Sequence, residues 1–248
     1  MQLKHYILFI VLLLLIPNFG KGQEAEIGEK EVILKRESSA FMDLRTNGWG
    51  VGYRYGKFKT GYKLKSWDFS FSVVKDLQQI KTSFGYSDIS GRIYYGKLIH
   101  FYNFKVLRGS QKVITTKPYW GGVELRRLFY GGINLGIGVP IWVLVYNFDD
   151  NYSQSLVRFD PDLHDRQDIQ SKGPFSKGFS DIEFYPSISM KYALNAEYGT
   201  ISQVAKGIEV GLQLDLYPIP VQIMAYQTPS YYIASAYISF HFGKRFNP

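Results

Sequence analysis

Three histidines beyond the N-terminal apolar run, His100, His164 and His241, are the first candidates for chemistry. Proton transfer near neutral pH draws on imidazole more than on any other side chain. His241 lies two residues from Ser239, so on a strand both would share one face. With a carboxylate, such a pair could make an acyl-transfer triad acting on lipid. The Gly-x-Ser-x-Gly turn that exposes a hydrolase nucleophile does not occur in the sequence. A hydrogen-bonded histidine among polar interior neighbours is therefore the preferred reading, and no catalytic residue is assigned.

A second cluster is acidic. Asp149, Asp150, Asp160, Asp162, Asp165 and Asp168 surround His164. Oxygen ligands at this density could hold Ca²⁺, but the spacing does not follow the EF-hand loop and its closing glutamate is missing. Solvated charge is the better reading, and no metal or cofactor is expected. Phosphate-loop, dinucleotide-binding and zinc-finger spacings are also absent from the sequence. The same stretch carries Pro161 and Pro174 with Phe159, Phe175 and Phe179. Long loops with their own apolar residues are commonly functional. Phe159, Asp160, Pro161, His164, Pro174, Phe175 and Phe179 are accordingly the expected partner-binding residues.

These groups need elements to hold them. From Tyr232 to Phe242 the chain alternates, with Ala234, Ala236, Ile238, Phe240 and Phe242 on one face and Ser235, Tyr237, Ser239 and His241 on the other. Period two means a strand, and a wholly apolar, partly aromatic face suits contact with lipid. Lipid cannot satisfy backbone polar groups, so strands within it must close into a barrel. Seven further strands are expected, over 48–58, 62–74, 92–105, 119–130, 133–146, 182–198 and 204–217. In the first, Trp49, Val51, Tyr53 and Tyr55 alternate with Gly50, Gly52, Arg54 and Gly56. Small residues inside and aromatics outside suit a narrow barrel. Gly131-Gly132 reads as a two-residue periplasmic hairpin turn. The stretch 147–181 reads as the long extracellular loop, while 76–91 would be an unusually long periplasmic turn. Ten strands, or a soluble lipocalin-like barrel with the faces inverted, are the alternatives.

Charges on inward positions should pair, because an unpaired buried charge is costly. Arg54, Glu124, Arg126, Glu183 and Glu209 are expected to plug the lumen in this way. Lys57, Lys59, Lys63 and Lys65 cluster at the first hairpin and could meet lipopolysaccharide phosphates if that hairpin is extracellular.

The ends set the compartment. Lys4 and His5 precede an apolar run, Tyr6 to Ile16, which is too short for a membrane helix and is followed by Gly20-Lys21-Gly22. Residues 1–22 are read as a signal peptide, 23–43 as a charged periplasmic segment and 44–248 as the barrel. The chain has no cysteine, so neither disulfides nor acylation at a cysteine is expected. Its formal charge is +8. For an exported barrel this points to solvated loop charge, or to lipid headgroups or lipopolysaccharide, rather than to nucleic acid. Aromatics make up 17% of the chain, in keeping with interfacial girdles, and Phe242 and Phe246 end it as an insertion signal would.

Several stretches also resemble a known family. They are Tyr95 to Leu98, Leu107 to Gly109, Gly121 to Arg126, Tyr130 to Gly132, Leu135-Gly136, Phe159 to His164, Pro174 to Gly178, Ile208 to Gly211, Ile223 to Ala225 and Ser239 to Lys244. Together they resemble a family of small outer-membrane β-barrels typical of Bacteroidota. The chain departs from it at Val139-Pro140, where a lysine would precede the proline. The resemblance implies an integral barrel that serves as a subunit of a larger outer-membrane assembly. The expected function is thus an accessory, non-enzymatic subunit of an assembly or secretion complex, with other outer-membrane proteins as partners. A lipid-modifying enzyme using His241 or His164 and a transporter of small hydrophobic solutes are the alternatives.

Overall fold

The computed structural model describes residues 35–76, 81–83, 92–94, 96–116, 122–147, 153–160, 163, 169–198, 204–225 and 227–247. The stretch 1–22 read as a signal peptide, most of the 23–43 segment, Pro161, His164 and the carboxylates Asp149, Asp150, Asp162, Asp165 and Asp168 lie outside them. The chain divides into two compact units, 1–30 and 31–248, and every described residue belongs to the second.

Thirteen strands and one 3₁₀ helix are described. The strands are β1 (Arg36–Arg45), β2 (Gly48–Thr60), β3 (Lys63–Val74), β4 (Lys81–Ser83), β5 (Arg92–Tyr94), β6 (Ile99–Thr115) and β7 (Glu124–Pro140). They continue with β8 (Trp142–Asn147), β9 (Ser153–Arg158), β10 (Ile169–Lys172), β11 (Glu183–Tyr198), β12 (Val204–Val221) and β13 (Ser230–Phe246). The helix η1 spans Phe175–Asp181. Eight strands close a ring in the order β1-β13-β12-β11-β7-β6-β3-β2, every pairing antiparallel. β1 completes the ring by pairing Arg36 with Phe246 through to Arg45 with Tyr237. The remaining strands form a β4-β5 hairpin and a β10-β8-β9 sheet.

The ring has the expected number of strands, but two of them are not those expected. β1 begins inside the stretch 23–43 read as a periplasmic segment and ends two residues beyond it. Its charges, Glu37, Asp43 and Arg45, point inward and are buried, while Met42 and Leu44 face out. Its high charge had masked the alternation. In compensation, 119–130 and 133–146 are largely one strand, β7, which runs straight through Gly131-Gly132. Gly132 serves a close approach rather than a turn: a Cβ there would lie 2.3 Å from the Val106 carbonyl oxygen. The segment 92–105 likewise divides between β5 and β6.

β7 leaves the ring at Pro140, yet its alternation continues into β8. Leu135 faces out and is 39% exposed, Val139 is covered, and Ile141, Val143 and Val145 form the core of the small sheet with Phe159 and Ile169. One apolar face thus passes from the wall of the barrel to the interior of a loop. The described parts of the connection, 141–147, 153–160 and 169–182, therefore make an ordered cap on one end, and it begins at 141 rather than at 147.

With β1 in place, the connections sort by end. One end has the two-residue turn after β1, the eight-residue connection 222–229 and the two long connections 75–98 and 141–182. The other has the described chain ends and connections of two, eight and five residues after β2, β6 and β11. Long connections mark the outer end of such barrels and short ones the periplasmic end. The 76–91 stretch therefore moves to the outer end, where a long connection is normal. The lysines of the 57–65 hairpin move to the periplasmic end, away from lipopolysaccharide.

Inside, glycines face aromatic rings across strand pairs: Gly52 faces Phe41, Gly109 faces Tyr130, and Gly211 faces Tyr237. A Cβ at Gly52 would come within 2.3 Å of the Phe41 ring and 2.6 Å of the Phe69 carbonyl. Gly52→Val is expected to overpack this layer and destabilise the barrel by about 1–3 kcal/mol. A urea midpoint in detergent, read from heat-modifiable migration, checks this, and an unchanged midpoint contradicts the packing.

Candidate functional site

The wall of the barrel has inverted polarity. Phe129, Ile133, Ile188, Leu194, Val210 and Phe242 face outward and are 50–68% exposed. Arg54, Asp68, Lys105, Arg126, Lys191, Glu209 and Asp215 face inward and are 4% exposed or less. In water this arrangement would expose hydrocarbon and bury charge; in a bilayer it is the stable one. The chain is a transmembrane antiparallel β-barrel of the outer-membrane type. This corrects nothing in the expected facing of strands 48–58, 62–74 and 231–242, and it excludes the inverted, lipocalin-like assignment.

The lumen is filled in layers. At its centre Arg54 donates to Asp68 Oδ2 through Nη2 at 2.7 Å and to Glu209 Oε2 through Nη1 at 2.8 Å. Lys191 Nζ stands 3.3 Å from Glu209 and 3.5 Å from Asp68. Tyr237 donates its hydroxyl to Glu209 at 2.7 Å, and His241 Nε2 lies 3.1 Å from the same carboxylate. Two guanidinium–ring contacts, 4.9 Å to Tyr130 and 5.3 Å to Phe41, enclose Arg54. Toward the periplasmic end Arg126 binds Glu37, Glu124 and Glu197, and Arg245 closes the group on Glu37 and Glu197. Toward the outer end Lys105 pairs with Asp215 and Arg45 with Asp43, both at 2.8 Å. Above them Val74, Ile99, Phe101, Tyr217 and Val221 form an apolar lid. The cavity bounded by Arg54, Arg126 and His241 measures about 20 Å³, room for one water.

Of the five charges expected in the lumen, Arg54 and Glu209 are at its heart, and Arg126 and Glu124 lie together toward its periplasmic end. Glu183 is elsewhere, at the outer rim, bound by Arg158 and Tyr185. Sequence reading missed Lys105, Lys191, Glu37, Glu197 and Asp215. Each lies on an inward position of its strand, so alternation marked the position, though only closure of the ring supplied the partner. Ser239 and His241 do share the inner wall; Ser239 is fully buried and His241 is held between Glu209 and the Phe41 ring, 4.9 Å away.

The expected partner-binding residues separate. Phe159 is 5% exposed in the core of the cap and offers no surface. Asp160 is half-buried beside it, and Pro174 precedes η1. Gly178 lets η1 sit flat on the outer wall, since a Cβ there would lie 2.6 Å from Val139 Cγ1. Phe175 and Phe179 then project from the helix, edge to face at 5.1 Å, and are 43% and 55% exposed. His100, on the outer wall, meets Phe175 edge-on at 5.7 Å. At the outer end of β3, β12 and β13 a cavity of about 610 Å³ opens among Asn47, Val74, Asp76, Gln227, Tyr232 and Ile233. Lys97, buried nearby, is pulled down to about 8 by burial and by Lys75 and Lys172, with Asp76 offsetting part.

No family model and no curated protein matches the chain. Among solved structures it is similar to Neisserial surface protein A (NspA), with 10% identity over 86% of this chain and 97% of that one, at a TM-score of 0.43. It is similar to Ail, the attachment invasion locus protein of Yersinia pestis, with 11% identity over 86% and 100%, at 0.40. The N-terminal β-barrel domain of Pseudomonas aeruginosa OprF aligns at 11% identity over 84% and 96%, at 0.36. The membrane assignment rests on the polarity of this barrel itself.

Two outcomes are expected. Arg54→Met leaves the two interior carboxylates Asp68 and Glu209 to share Lys191, so one buried charge is uncompensated, and should destabilise the barrel by about 3–5 kcal/mol in the same urea assay; no change would show that the central cluster is not a unit. For Lys97, the folded state disfavours the proton that the unfolded chain keeps. Stability should therefore rise with pH between about 8 and the ordinary lysine value of 10.5. Melting curves should show that rise in the wild type and lose it in Lys97→Met.

Proposed function

We propose that this chain is an integral outer-membrane barrel acting as an accessory subunit of an outer-membrane protein complex. The observation that carries the reading is the cap: an ordered sheet with its own core, a helix docked on the outer wall, and Phe175 and Phe179 left outside. A lumen filled by paired charges and covered by an apolar lid leaves the outer surfaces to do the work. Two adjacent exposed aromatics at a fixed place are the kind of anchor on which interfaces concentrate their binding energy. The family resemblance of the sequence, with its implied place in a larger assembly, agrees with this reading.

The test is recovery of partners from outer membranes in mild detergent, using a tag after Pro248. A stoichiometric outer-membrane protein should co-purify, and Phe175→Ala with Phe179→Ala should reduce its recovery roughly tenfold or more while the barrel stays folded. Recovery of a lone barrel overturns the proposal. Retention of the partner by the double variant removes the cap from the interface. In planar bilayers the wild-type barrel should show no steady conductance; an open channel would favour solute transport instead.

A further inference from the structure

The outward face near the periplasmic end carries a charge pattern that neither the lumen nor the cap explains. Lys57, Lys63, Lys65, Arg108, Lys112, Arg127, Lys206 and Lys244 all point out from that half of the barrel and are exposed. The carboxylates of the central and periplasmic parts of the ring, Glu37, Asp68, Glu124, Glu197 and Glu209, all point in and are taken by interior cations. Among the described residues, this outward half carries cations and no carboxylate.

The cations are also close together. Lys63 lies directly opposite Lys112, and Lys112 directly opposite Arg127, across three adjacent strands. Lys57 lies opposite Lys65 in the next row. Like charges at directly opposed positions repel unless an anion sits among them. A groove of about 420 Å³ runs through this place, lined by Lys63, Lys112 and Arg127 with the hydroxyl side chains of Thr60, Tyr62 and Ser110. Phe129, 58% exposed, forms its edge on the side of the apolar belt. Arg108, one step further in, lies 5.1 Å over the outward Trp67 ring. The sequence of environments is therefore cations and hydroxyls at the rim, then aromatics, then hydrocarbon.

We propose that this groove binds the phosphate of an anionic glycerophospholipid in the periplasmic leaflet. Three cations and three hydroxyls are the donors that a phosphate monoanion accepts. Phe129 and its neighbours lie where the acyl chains begin. The position at strand ends places the donors at headgroup depth, because about 9–11 residues of a tilted strand cross the hydrocarbon and β6 and β7 each have 17. The inference rests on the outer-membrane reading above, including which end is periplasmic.

The test uses the mature full-length barrel in mild detergent, with lipid retention read by native mass spectrometry. The probes are phosphatidylglycerol, diacylglycerol and lipid A. One phosphatidylglycerol should be retained, and Lys63→Gln, Lys112→Gln and Arg127→Gln together should weaken retention roughly tenfold or more, as each cation near an anionic headgroup counts for a several-fold change. Lys75→Gln with Lys172→Gln, at the outer end, should leave it unchanged. Heat-modifiable migration reports whether the triple variant folds; if it does not, the wild type alone decides, because diacylglycerol lacks the phosphate. Equal retention of diacylglycerol and phosphatidylglycerol overturns the site. Preference for lipid A also overturns it, since the patch would then face lipopolysaccharide. Failure of the wild type to float with vesicles overturns the membrane reading itself, which is a separate result.

Discussion

A bilayer offers no water to a peptide group, and the whole architecture follows from that one deficit. Every strand must find a partner on both sides, so β1 has to reach β13 and the sheet has to close. Closure fixes the lumen of an eight-stranded ring at a width that side chains fill. Charges on inward positions then have no solvent and must find each other. The ion clusters around Arg54, Arg126 and Lys105 are in this sense products of closure, and the hydrocarbon on the outside is its counterpart.

The same constraint separates the scaffold from its working surfaces. Inside, Glu209 is approached by Arg54, Lys191, Tyr237 and His241. Such convergence satisfies an interior carboxylate and fixes the strands that carry the donors. Outside, the cap and the periplasmic collar rest on this rigid wall and differ in chemistry, one aromatic and one cationic. Each sits at a boundary of the hydrocarbon, where protein or headgroup can meet it.

How legible this was in the sequence depended on the element. β13 announces itself, because its outward residues are apolar and its inward residues small or polar. β1 does not, because its inward charges resemble those of a solvated segment until Asp43 and Glu37 are seen to have partners. Gly131-Gly132 has the composition of a turn, yet Gly132 is required by the approach of the β6 backbone. From Leu135 to Val145 the alternation is unbroken, so the exit at Pro140 leaves no mark in the pattern; only the environment changes, from lipid to the cap core. The pairing of Arg54 with Glu209 was hidden for a different reason. The residues are 155 positions apart, and nothing local links them.

That separation has a consequence for how the molecule comes into being. Arg54 enters with the second strand of the ring and Glu209 with the seventh, so the central cluster cannot exist in any half-made barrel. An early intermediate holding β2 and β3 has only Asp68 to offset Arg54, and its lumen must stay wet. Drying of the interior therefore waits until β2 and β12 stand in one ring and the first and last strands meet. Assembly dominated by such distant contacts is slow. A partly closed chain is a hydrated half-pipe, and it becomes a sealed body only when the ring is complete.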